Sequence, residues 1–78
     1  MSYPTITAAQ LAKIREAFGL SSIQMAKLLN APHRTYWRWE KGDSRVPGIG
    51  VNYLLTLLRY EQVRNEALQT AKGTPHGD

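Results

Sequence analysis

The chain has 78 residues, no cysteine and a formal net charge of +4, with 42% hydrophobic and 21% charged residues. That length holds one small domain with a modest core, and the balance is that of a folded chain rather than a disordered one. Disulfides and thiolate metal sites are excluded, and His33 and His76 alone make no metal constellation, so no cofactor is expected. No apolar run reaches spanning length, and Met1-Ser2-Tyr3-Pro4-Thr5 lacks the basic and apolar parts of a signal peptide. A cytoplasmic protein without membrane contact is the expectation.

The elements all read as helices. Thr7-Ala8-Ala9-Gln10 fits a capping box, in which a threonine and a glutamine satisfy the free amides of a helix start. Behind it Leu11, Ile14 and Phe18 form one apolar stripe, and Gly19 supplies the left-handed residue that ends a helix. Ser21 caps a short second helix whose inner face is Met25, Ala26, Leu28 and Leu29. Asn30-Ala31-Pro32 breaks it, since asparagine tolerates the left-handed region and proline starts a helix but does not sit inside one. A third helix is predicted from about His33 to Lys41, stopped by Gly42, followed by the polar loop Gly42 to Pro47. A longer fourth helix is predicted from about Ile49 to Gln69; a break near Tyr60 is compatible with the pattern but nothing in it requires one. Its Val51, Leu54, Leu55, Leu57, Leu58, Val63, Ala67 and Leu68 exceed what one face of a lone helix needs. The folded domain is placed at residues 1–69 and a disordered tail at 70–78. The fold class is all-α, a compact bundle of four to five helices.

The charge is concentrated. From Lys27 to Arg45 five cations (Lys27, Arg34, Arg38, Lys41, Arg45) face two acids (Glu40, Asp43), which places three of the four net charges in one stretch. Such a patch is the footprint of a polyanion, although a solvated face would look the same by charge alone. On a wheel at about 100° per residue, Thr35, Tyr36 and Trp39 fall on one side of the third helix. His33, Arg34, Trp37, Arg38 and Lys41 fall within an arc of about 140° on the other. Tyr36 and Trp39 therefore read as core, and Glu40, near the core side, as the partner of a cation. Arg34 and Arg38, four apart, repel mildly unless an anion meets them. The arginine fork suits guanine O6 and N7, whereas Lys41 and Arg45 suit phosphate. Trp37 fits either a base or sugar contact or packing, and His33 either a contact or an idle surface position.

From Leu20 to Gly42 the sequence LSSIQMAKLLNAPHRTYWRWEKG resembles the Cro/phage-repressor (Xre) helix-turn-helix family, without gaps. The Arg38-Trp39-Glu40-Lys41-Gly42 ending after a MAKLL-like helix carries most of the likeness. Trp37-Arg38-Trp39-Glu40 followed by Val46-Pro47 is also similar to small phage autoregulators, antitoxins and anti-CRISPR-associated repressors.

The resemblance implies a lambda-repressor-like fold with its third helix in the major groove of double-stranded DNA and its second across the backbone. By position, His33, Arg34, Trp37 and Arg38 would read bases, while Ser22, Lys41, Ser44 and Arg45 would meet phosphate. Ser22 stands where the family often has glutamine, so the family's contact from that position to a third-helix glutamine or to a base does not carry over. Pro32 replaces the usual serine or threonine cap of the third helix. A homodimeric repressor on an inverted repeat follows; of Leu55, Leu58, Val63 and Leu68, part must cover the core and the rest is available to a second copy. The competing readings are a protein-interaction module anchored on Trp37 and the fourth-helix leucines, and RNA binding by the same basic face. Neither an enzyme nor a small-molecule site is expected, because carboxylates are scattered and no serine or histidine sits in a catalytic setting.

Overall fold

The computed structural model describes residues 4–73, which form five helices: α1 Ala8–Phe18, α2 Ser22–Leu28, α3 His33–Lys41, α4 Gly48–Arg59 and α5 Glu61–Ala71. No strand occurs among the described residues, and no helix is long and apolar enough to cross a membrane. The predicted positions 1–3 and 74–78 lie outside the described residues.

Helices α1 and α2 start at side-chain caps, and left-handed residues follow the ends of all three first helices. At α1 the Thr7 amide donates to Gln10 Oε1 (2.8 Å) and the Gln10 amide to Thr7 Oγ1 (3.1 Å), a reciprocal box. Gly19, at φ +71°, closes the helix by donating to the carbonyls of Arg15 and Glu16. Ser21 and Gln24 repeat the box at α2, so this seven-residue helix has both partners of a full cap and not Ser21 alone. Asn30 takes the left-handed conformation (φ +55°), and the Ala31 amide returns to Ala26 O at 2.9 Å, which turns the chain sharply into α3. Pro32 precedes α3 with no side-chain cap, and Gly42 (φ +84°) ends it.

The fourth predicted helix is two. Tyr60 is extended (φ −114°, ψ 104°) and separates α4 from α5, so a continuous helix from Ile49 to Gln69 does not form. One straight rod would carry Leu54 and Leu57 away from the surface that Ala67 and Leu68 cover. The break lets α4 fill the core with Val51, Leu54 and Leu57 while α5 folds back over α2 and α4. Arg64, one turn into α5, donates from Nη1 to the carbonyls of Leu57 and Leu58 (3.3 Å each), supplying partners for the open end of α4. Helix α5 also runs beyond Gln69 to Ala71, which is buried, so residues 70 and 71 belong to the folded body rather than to a tail.

The core takes Leu11 and Phe18 from α1, Met25 and Ala26 from α2, Tyr36 and Trp39 from α3, and Val51, Leu54 and Leu57 from α4, with Leu20, Val46 and Ala71 closing its edges. Ile6, Ile14, Leu28, Leu29, Ala31, Ala67 and Leu68 pack around it. Tyr36 and Trp39 meet edge to face, with ring centres 6.0 Å apart. Above them lies one ion pair. Arg15 Nε donates to Glu40 Oε2 at 2.7 Å, Arg15 Nη1 donates to Leu20 O at 3.1 Å, and the Tyr36 hydroxyl donates to the same Glu40 oxygen. Two donors on one carboxylate thus join α1, the α1–α2 turn and α3.

Replacing Glu40 with alanine leaves Arg15 and the buried Tyr36 hydroxyl without their acceptor, and should cost about 2–3 kcal/mol of unfolding free energy in denaturant titrations. A loss below about 0.5 kcal/mol would show that the pair does not hold α1 to α3. Burial foremost, then the hydrogen bond and charge of Glu40, raise the Tyr36 phenol well above its ordinary 10.0. Below that value Tyr36 is neutral in both folded and unfolded chains. Above it the unfolded tyrosine ionises while the folded one keeps its proton, so stability falls as pH rises. Tyr36→Phe should cost about 1–2 kcal/mol at pH 7 and flatten this alkaline loss. Equal slopes for both proteins above pH ~10 would contradict the linkage.

Candidate nucleic-acid interface

Helix α3 carries two unlike faces because its residues alternate at helical spacing between packing and charge. Tyr36 and Trp39 are buried and Thr35 is half-buried, while His33, Arg34, Trp37, Arg38 and Lys41 are all exposed. The helix has one acid, Glu40, and it is turned inward onto Arg15. Its outer face is therefore cationic with no carboxylate of its own to offset it. Trp37, half exposed at 50%, is the one large apolar group there. Lys41 Nζ lies 4.1 Å from the centre of the Trp37 ring, a cation–π contact across one helical turn.

The starts of α2 and α3 meet. Ser22 Oγ is 3.0 Å from His33 Nε2, so position 22 contacts the third helix through a histidine. Serine reaches because the turn through Asn30 brings the two helix starts together and histidine supplies the length that glutamine would. The bond fixes the His33 ring at the first position of α3. The Ser22 hydroxyl itself is half-buried and already engaged, so what it offers an anion is the α2 helix start more than a free hydroxyl.

Lys27 on α2 and Ser44 and Arg45 in the loop after α3 are exposed. The loop residues Asp43, Ser44 and Arg45 border a shallow hollow that also touches Ile6 and Trp39. On the helices after the loop, Leu55, Leu58 and Val63 are exposed, at 40%, 43% and 47%. Leu68, grouped with them from sequence, instead packs against the chain's own core. Ile49, Tyr53 and Tyr60 are further exposed apolar residues that the pattern of leucines did not single out.

Two features of this surface escape a reading by composition. The Lys41–Trp37 stack is legible in principle, since the two residues are four apart on a helix. The Ser22–His33 bond needs the turn geometry before any spacing can suggest it. Comparison with protein-family models, with curated proteins and with solved structures gives no match for this chain.

Because these side chains are exposed and make no packing contact in the core, Arg34→Ala and Arg38→Ala should leave the unfolding free energy within about 0.5 kcal/mol of the parent. Thermal or denaturant melts measure this. A loss above about 1.5 kcal/mol would make either arginine a structural residue instead.

Proposed function

We infer that the chain is a sequence-specific double-stranded DNA-binding regulator in which α2, the turn at residues 29–32 and α3 act as a helix-turn-helix. The observation that carries this reading is the outer face of α3. It has four cation-capable side chains and an indole, no acid, and a backbone held from behind by Tyr36, Trp39 and the Glu40–Arg15 pair. A helix presented this way suits the major groove, where arginine forks meet guanine and rigid placement decides register. His33, Arg34, Trp37 and Arg38 are assigned to base edges, and Lys41, Ser44 and Arg45 to flanking phosphates, with the start of α2 at Ser22 against the backbone. The likeness of residues 20–42 to the Cro/phage-repressor family supports the same docking.

Two copies on an inverted repeat complete the proposal. Successive major grooves on one side of the duplex are about 34 Å apart. Leu55, Leu58 and Val63 are the apolar residues assigned to that contact. Occupying a promoter in this way represses it without any effector.

Selection from random duplex DNA, followed by sequencing of the bound pool, should enrich an inverted repeat with half-site centres about one helical turn apart. Arg38→Ala should then cost about 1–3 kcal/mol per half-site and relax preference at one base pair. A pool without enrichment and only weak, salt-sensitive binding would refute sequence-specific recognition. Preference for single strands or hairpins over duplex would assign the same face to RNA.

A further inference from the structure

Trp37 is the residue on the outer face of α3 that positive charge does not explain. Its neighbours Tyr36 and Trp39 spend their rings on the core, whereas Trp37 leaves half its surface in solvent. On its own stripe of the helix it is flanked by Arg34 one turn before and Lys41 one turn after. Lys41 Nζ stands over the ring at 4.1 Å from its centre, so one face of the indole is covered by an ammonium group. Half of the residue's surface remains exposed to a partner. An indole has one donor and no acceptor, so it does not make the paired polar contacts by which bases are told apart. What it offers is rigid apolar area, held in place by the lysine before any partner arrives.

The major groove presents one apolar group among its donors and acceptors, the C5 methyl of thymine. We propose that Trp37 selects thymine in each half-site by burying that methyl group against the exposed part of its ring. The proposal rests on the reading of α3 as the helix that enters the groove, and adds to it the chemical class of one base: a 5-methylpyrimidine. Arg34 and Arg38 supply the polar readout beside it, and Lys41 is a positioning residue for the ring. An indole lying against deoxyribose would be indifferent to the methyl. One stacking on an unpaired base would favour single strands.

The test uses the wild-type full chain and the duplex recovered by selection, with each thymine replaced singly by deoxyuridine. This exchange removes the methyl and keeps every hydrogen-bonding group. At one thymine per half-site the replacement should weaken binding about fourfold, the effect of burying one such carbon. Trp37→Ala should bind the thymine and uracil duplexes equally, while Arg38→Ala should keep the fourfold difference. Trp37→Leu, which retains apolar area, should keep part of it. An operator in which every thymine methyl is dispensable overturns the proposal and leaves the groove-reading function standing. The same holds if Trp37→Ala preserves the difference. If no duplex is enriched at all, the function falls and the proposal falls with it.

Discussion

The arrangement of the molecule depends on a single carboxylate shared between two donors. Glu40 accepts from Arg15 Nε and from the Tyr36 hydroxyl, and Arg15 also reaches the Leu20 carbonyl in the turn between α1 and α2. The first helix, the first turn and the third helix are thereby fixed to one point at the rim of the core. The contact is partly buried, with side-chain exposures of 23% for Arg15 and 18% for Glu40. It is dry enough to be directional and wet enough to spare the full cost of taking two charges out of water. The hydrogen bond to Glu40 also raises the proton affinity of the Arg15 guanidinium, which stays a cation throughout.

This inward use of Glu40 shapes the outside of the protein as well. Had the acid faced solvent, it would have added a negative charge beside His33 and Trp37 and weakened the field of the cationic face. Turned inward, it leaves α3 with opposite chemistries on its two sides, while the ladder of Tyr36 and Trp39 holds the helix against rotation. The Ser22–His33 bond adds a second constraint at the start of α3, where no side-chain cap is present.

Much of the fold was legible because the signals were local. Thr7 with Gln10, Gly19, Ser21, Asn30 and Gly42 each act within a few residues of their own position, so their residue types predict their conformations. The inner and outer faces of α3 followed from helical period alone. What was hidden depends on distant partners. Arg15 and Glu40 are separated by 25 positions, and charge pairing across such a span has no sequence pattern. The break at Tyr60 has neither glycine nor proline; it is supported by Arg64 reaching back to two carbonyls, a contact that exists only after α5 has turned. Spacing alone does not say which of Leu55, Leu58, Val63 and Leu68 covers the core; the fold-back of α5 places Leu68 against it. For the candidate site, the residue types were visible and their mutual contacts were not.

The division of labour within α3 has an evolutionary consequence. Positions 36, 39 and 40 are committed to folding, while 33, 34, 37, 38 and 41 lie outside the core and carry little of its energy. A lineage carrying this scaffold is free to change the outer set without first acquiring compensating stability, so the chemistry of that face drifts independently of the fold. The exceptions are coupled pairs. Substituting His33 disturbs Ser22, and substituting Lys41 releases Trp37. Changes at these sites arrive together or not at all, and related chains should show them as linked exchanges amid otherwise independent variation.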